Sequence, residues 1–229
     1  YFRCVTVTHE GQSTRLTSTG LPPHVSPYYA SSDPNYVAWD TSRGSAYHQN
    51  PNTLSAKSIT FSIPDSPTLK DLAITESLVD LQARTSTLEY ALGPVGIALD
   101  GTALFNSTAA PGDDIAEERF TFDLFEGHPS PDGQYHYHSA SPGPLEVLAL
   151  AGFTTSTKPT EAAVELYGVM CDGTFVLGCT ELDGTARPTT GLDAQGGHTT
   201  DMKGTDGTVY LSDSGSDTIA GGRRCEHSP

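Results

Sequence analysis

The sequence predicts an all-β fold, a sandwich or distorted barrel built from two related β units with at most one or two short helices. Three observations carry that prediction. Ser and Thr together number 51 against 12 Lys and Arg, whereas a helical bundle would be rich in Ala, Leu, Glu and Lys. Short apolar runs alternate with turn residues, including five Asp-Gly pairs at 100–101, 132–133, 172–173, 183–184 and 206–207. Asp-Gly suits the two-residue hairpin turn, whose central residues both take positive φ. The chain also repeats itself. Gly96-Ile97-Ala98-Leu99-Asp100-Gly101-Thr102 matches Gly168-Val169-Met170-Cys171-Asp172-Gly173-Thr174, and Phe122 to His128 matches Leu192 to His198. Asp132-Gly133 and Asp206-Gly207 then each precede a strand containing Tyr.

Taken in order, Cys4–Thr8 alternates apolar and polar residues as a half-buried strand does. Residues 1–19 therefore read as an N-terminal strand or arm, and 20–229 as a single domain with its repeat over about 94–138 and 166–211. The segments Ser58–Ile63, Val95–Leu99, Ala103–Phe105, Arg119–Leu124 and Gln134–His138 read as strands, as do Val164–Met170, Thr174–Leu177 and Thr208–Leu211. Residues 69–92 fit a helix as well as strands, and Pro144–Leu150 fits a short helix.

The formal charge of −16 excludes a nucleic-acid partner, whose phosphates need a basic footprint, and disfavours an anionic membrane surface. No membrane span is expected, because the longest apolar run, Val147 to Phe153, is far short of the roughly 20 residues a spanning helix needs. Four cysteines, Cys4, Cys171, Cys179 and Cys225, without a Cys-x-x-Cys pair, predict two disulfides. Three pairings are open, and Cys171–Cys179 with Cys4–Cys225 is preferred because the first two flank one turn and the others lie near opposite ends. Asn106-Ser107-Thr108 is a glycosylation sequon. With an opening Tyr1 in place of Met, which fits removal of a leader, these features predict a secreted protein, extracellular or on a cell surface.

One segment concentrates chemistry: Gly127-His128 followed by Tyr135-His136-Tyr137-His138. In a strand, residues i and i+2 share a face, so His136 and His138 are placed to chelate one ion while Tyr135 and Tyr137 pack on the other side. His128, His24 or His198 would complete the cluster, and Asp123 would ligate or orient an imidazole. Imidazoles suit copper or zinc, and an added carboxylate also admits iron or manganese. The competing reading makes these histidines polar core residues bonded to carbonyls and carboxylates. His9, His48 and His227 lie in polar stretches and read as solvated. Asp113-Asp114 with Glu117-Glu118 reads as a solvated acidic loop, and the group around Trp39 as satellite core.

With Gly127-His128-Pro129, the tetrapeptide Tyr135-His136-Tyr137-His138 resembles the YHYH protein family. The order around it is similar as well. Residues Arg15 to His24 resemble an early Ser-Asn-Gly-Ile-Pro-x-His segment, Asn50-Pro51-Asn52 precedes a strand ending in Pro64, and Gly96–Gly101 and Gly168–Gly173 resemble two Gly-x-Ala-x-Asn/Asp-Gly elements. The resemblance implies a secreted or surface protein and metal binding at His136 and His138, and carries over no catalytic residue. It departs after Gly197-His198, where Val209-Tyr210-Leu211-Ser212 lacks a second histidine pair.

No nucleophile with its base, and no complete acid–base pair, stands in a named motif. The leading expectation is therefore a structural role. The chain would be an extracellular subunit assembling head-to-tail into a surface layer or filament, its terminal strand donated to a neighbour. The rival expectation is a secreted copper or zinc protein, an oxidase-like enzyme or a metal carrier.

Overall fold

A computed structural model describes residues 2–66, 93–105, 115–171 and 173–178, together with the backbone of 202–203 and 209–211. Among the described residues eleven strands run in chain order: β1 (Val5–Glu10), β2 (Ser13–Ser18), β3 (Ile59–Pro64), β4 (Pro94–Ala98), β5 (Ala103–Phe105), β6 (Gly127–Pro129), β7 (Tyr135–Tyr137), β8 (Leu166–Met170), β9 (Phe175–Leu177), β10 (Met202–Lys203) and β11 (Val209–Leu211). Two helices accompany them among the described residues, the single turn α1 (Ile115–Glu118) and α2 (Pro142–Leu150). The fold is all-β, as expected.

A six-stranded sheet in the order β6-β7-β5-β4-β8-β9 forms the centre. One of its faces meets the three-stranded antiparallel sheet β1-β2-β3, where Leu16 and Ile59 pack on Ile97 and Ala103. The other face packs Ala98, Leu104, Tyr137 and Tyr167 against Leu145 and Leu148 of α2. Ser141 caps α2 by accepting from the Gly143 N–H, and Pro142 begins the helix, a position where the missing donor costs nothing.

Over the hairpins β4–β5 and β8–β9 the repeat is a local structural two-fold. Strands β4 and β8 pair antiparallel with Ile97 opposite Val169, Gly96 opposite Met170 and Ala98 opposite Gly168. Ile97 and Val169 are positions that the repeat equates, and the other two pairs are exchanged by it, so a local dyad passes between Ile97 and Val169. Its hydrogen bonds come in matched pairs. Leu99 N–H donates to Tyr167 O and Cys171 N–H to Val95 O, both at 2.9 Å, while Ala98 to Thr102 and Met170 to Thr174 both measure 2.8 Å. The glycines at the dyad are required by close approach. A Cβ on Gly168 would stand 2.3 Å from Ile97 O, and one on Gly96 would stand 2.6 Å from Val169 O.

Several local expectations change. In the Asp-Gly turns at 100–101 and 132–133 only the glycine is left-handed, with φ of +88° at Gly101 and +86° at Gly133, and Gly173 takes +94°. Each of these glycines donates its N–H to the carbonyl three residues earlier, Ala98, Ser130 and Met170. This is a type I turn followed by a left-handed glycine, one residue longer than the two-residue turn expected. Arg119–Leu124 is not a strand. It follows α1 as a 3-10 turn over Arg119–Thr121, and then Asp123 Oδ1 accepts from Phe125 N–H, a side-chain turn that competes with strand pairing. Strands β2, β6 and β10 were not anticipated. The N-terminal segment forms a hairpin hydrogen-bonded to β3 of its own chain. Its β1 is an edge strand more exposed than alternation predicts, Val7 being 51% exposed. Residues 69–92 and Asp113-Asp114 lie outside the described residues.

Cys4 and Cys171 form no disulfide with each other. Cys179 and Cys225, their expected partners, lie outside the described residues, as does Asn106.

Gly168→Ala should destabilise the domain by about 1–3 kcal/mol, the range for overpacking a filled core, and Gly96→Ala by a similar amount. Gly152, with no atom within 4 Å of its added Cβ, supplies the comparison, because Gly152→Ala pays only for its φ of +81°. Urea unfolding of the three variants measures the difference.

Candidate metal centre

The site grows from two three-residue strands, β6 and β7. Strand β7 lies between β6, antiparallel, and β5, parallel. Ala103 is opposite His136 and His136 is opposite His128. Residues directly opposite share a face, so the row Ile97, Ala103, His136, His128 continues the apolar face that meets β2 and β3. His138 joins from just beyond β7. Phe105 stacks on His136 at 3.9 Å between ring centroids, and Phe122 lies edge-on to His128 at 4.8 Å. All three histidines are buried, none above 9% exposed.

Their Nε2 atoms converge. His128 Nε2 lies 3.1 Å from His136 Nε2, which lies 2.9 Å from His138 Nε2. One ligand nitrogen from each falls within 4.8 Å of those of the other two. Nitrogens 2.0–2.1 Å from a tetrahedral ion are separated by roughly 3.3 Å, close to these values.

Hydrogen bonds on the far side fix which nitrogen carries the proton. His136 Nδ1 is 2.9 Å from the carbonyl of Gln134, which can only accept. His128 Nδ1 is 2.6 Å from Thr121 Oγ1, whose own hydrogen goes to Glu118 O at 2.8 Å. His136 Nδ1 is therefore a donor, as is His128 Nδ1 when Thr121 gives its hydrogen to Glu118 O, and in that arrangement both Nε2 atoms present lone pairs. Even with His138 donating to His136, two acceptors face each other at 3.1 Å. Burial, and then the neighbouring His138, holds His128 down at about 3. Burial, followed by His128 and His138, holds His136 well below the ordinary imidazole range. Added protons therefore do not relieve the contact near neutrality, whereas a bound cation does. Glu118 Oε1, 3.4 Å from His128 Nε2, was read from sequence only as part of an acidic run.

His24 and Asp123 do not join this cluster, because they contact the tyrosines, which the alternation of β7 sends to the opposite face. His24 stacks on Phe125 at 3.6 Å between centroids, with Nε2 2.8 Å from Tyr137 Oη and Nδ1 2.9 Å from Val25 O. Asp123 accepts from Tyr135 Oη at 2.8 Å and from Ser26 Oγ at 2.6 Å. The Tyr135 ring reaches Asp123 by crossing Gly127, where a Cβ would stand 2.6 Å from it. That close approach accounts for the glycine before His128. Asn50 and Asn52 both donate to Pro129 O, fixing the strand end next to His128. His198 and His227 lie outside the described residues. His9 is exposed, and exposed His48 bonds Ala46 O. Trp39 packs edge-on against Tyr28 as satellite core.

The His24 network has a fixed proton count. Tyr137 Oη is 2.8 Å from both His24 Nε2 and Asp100 Oδ2, and a single hydroxyl hydrogen cannot serve both. With His24 Nδ1–H committed to Val25 O, the second hydrogen resides on His24 or on Asp100. Burial lowers His24 to about 4 and raises Asp100, so both shifts run towards the neutral forms.

An all-β domain with three buried imidazoles converging across adjacent strands defines the class: a β protein with a candidate metal centre in its core sheet. The YHYH protein family model matches residues 60–195, and the chain belongs to that family. No curated protein and no solved structure matches it.

Asp100→Asn keeps a hydrogen-bonding group beside Tyr137 and should cost less than about 1 kcal/mol, whereas Tyr137→Phe strands two buried partners and should cost on the order of 2–4 kcal/mol; denaturant unfolding at pH 7 separates the two. Asp123 supplies a pH test. Burial pushes it up to about 6 against the donors around it. A folded value above the unfolded one gives stability that is present below the ordinary 3.8 and lost as pH rises through 6. Relative to Asp123→Asn, the natural protein should lose up to roughly 3 kcal/mol between pH 4 and 7, at about 1.4 kcal/mol per unit. A constant difference across that range would contradict the assignment.

Proposed function

We propose that the protein is an extracellular metal-binding member of the YHYH family that holds one copper or zinc ion on the Nε2 atoms of His128, His136 and His138. The observation that carries this reading is the convergence of the Nε2 atoms of His128, His136 and His138 in a buried site, with successive separations of 3.1 and 2.9 Å. A purely structural histidine core would pair each lone pair with a donor. Extracellular placement draws on the four cysteines and the sequon of the sequence.

A structural-subunit role has one observation in its favour. Strand β1 lies at the end of its sheet with Val7 exposed, and such an edge can accept an added strand. Because β1 is already paired with β2, growth would proceed by edge addition rather than by donation of residues 1–19. The mass of the native particle tests this separately from the metal.

The metal reading predicts one zinc or copper ion per chain by elemental analysis and titration calorimetry. His136→Ala should weaken zinc binding by more than about 100-fold, beyond what loss of a mere supporting residue does. Free zinc at a hundred times the dissociation constant should stabilise the natural protein by about 2.7 kcal/mol and leave His136→Ala unchanged. Equal stabilisation of both proteins would overturn the reading.

A further inference from the structure

We infer that β1 is a dimer interface: it pairs antiparallel with β1 of a second copy of this chain about a two-fold axis at Val7, joining two three-stranded sheets into one of six strands. The inference rests on the edge-addition reading of β1 and adds to it the partner, the symmetry and the register.

The pattern of β1 calls for more burial than its own chain supplies. Val7 is opposite Leu16, and Leu16 is opposite Phe61, so the three share one face. Leu16 is 2% exposed and packs on Ile97 and Ala103 of the central sheet, whereas Val7 on the same face is 51% exposed. The apolar row thus runs outward past the cover that the six-stranded sheet gives it. Thr6 and Thr8 lie on the other face, in rows with Thr17 and Thr60 and with Arg15 and Ser62. This is the alternation of a strand with one buried face, and a single chain leaves that face open at Val7.

The backbone is open as well. Strand β1 ends its sheet and pairs with β2 over six residues without a bulge. Among the described residues no other backbone bonds its outer side. The remaining sheet edges carry devices that stop strand addition. Strand β3 ends in Pro64, and β9 has three residues. Strand β6 also has three, with Pro129 held by Asn50 and Asn52. Strand β1 has no proline and no lysine, and its single acid, Glu10, stands at the last position, 3.6 Å from Arg15.

Self-complementarity selects the occupant. A two-fold axis perpendicular to the sheet keeps the core-facing sides of both copies on one side, so alternate residues meet their own kind. With the axis at Val7, Val7 meets the partner's Val7, Thr6 meets the partner's Thr8, and Val5 meets the partner's His9. Apolar groups meet beside Leu16, hydroxyls meet on the polar face, and no like charges are opposed, which is the favourable set of cross-strand pairs. Glu10 reaches only the level of the partner's Cys4, where a φ of +60° turns the chain out of the strand. An isologous contact of this kind closes on itself. It gives a dimer, and a layer or filament would need a second contact.

The test is sedimentation velocity of the full-length chain over a range of concentrations, beside Val7→Lys and Leu150→Lys, each shown to fold by thermal unfolding. Leu150, 74% exposed at the end of α2, controls for an added surface charge. The natural chain should pass from monomer to dimer as concentration rises. Val7→Lys sets like charges across the axis and a lysine on the edge, and should raise the dimer dissociation constant by at least about tenfold, while Leu150→Lys leaves it unchanged. Hydrogen exchange over Val5–Glu10 should slow on dimerisation of the natural chain. A chain that stays monomeric throughout overturns the inference and the subunit reading together. A dimer or larger particle that Val7→Lys leaves intact, or that forms without slowing exchange in β1, overturns the inference alone, because the copies then join elsewhere. If Val7→Lys fails to fold, exchange in the natural chain above and below its dissociation constant decides.

Discussion

The site depends on the alternation of one three-residue strand. Because successive side chains of β7 point to opposite faces, Tyr135 and Tyr137 enter one layer while His136 and the following His138 enter the other. The tyrosines are anchored through their hydroxyls, Tyr135 to Asp123 and Tyr137 to Asp100. Those buried bonds fix the height and rotation of the strand, and the imidazoles behind it inherit that precision. A slip of one residue would exchange the faces, placing imidazoles against α2 and phenols against the three-stranded sheet. The tetrapeptide is thus one device with two halves. Its tyrosines hold the strand and its histidines meet the ion.

The dyad between β4 and β8 gives this device its place. Each unit supplies a hairpin closed by an Asp-Gly turn, and the two hairpins join through Ile97 and Val169. The first unit then adds β7 beside β5 and β6 beside β7. In the second unit β10 and β11 pair as a hairpin of their own, and Val209-Tyr210-Leu211 occupies the position that the repeat equates with Tyr135-His136-Tyr137. The paired hairpins are shared by the two units, and the His-x-His pair belongs to the first.

The core strands, the short helix at Pro144–Leu150 and the His128, His136, His138 cluster were legible in the sequence, because each rests on a short-range rule. Strand period puts His136 and His138 together, and the turn at Asp132-Gly133 returns the chain antiparallel so that His128 meets His136. What could not be read was which layer a distant residue enters. His24 and Asp123 were grouped with the histidines because their residue types suit a metal, yet both bond to tyrosine hydroxyls and so belong to the opposite face. The useful signal was the alternation itself, since any partner of Tyr135 or Tyr137 must lie away from His136. Arg119–Leu124 was misread because its apolar residues alternate like a strand, while the side chain of Asp123 bonds its own backbone and turns the chain. That turn, with α1 before it, brings Glu118 to His128, a contact no local pattern announces.

The central claim is that the Nε2 atoms of His128, His136 and His138 share one metal ion while their far sides stay tied to the fold. The most direct measurement is a nitrogen-15 histidine spectrum of the full-length protein with and without one equivalent of zinc. The account predicts that the Nε2 signals of these three rings shift on binding, that the Nδ1–H signals of His128 and His136 persist, and that His24 is unmoved. Zinc that shifts none of the three, or that binds through Nδ1 or through His24, would contradict it.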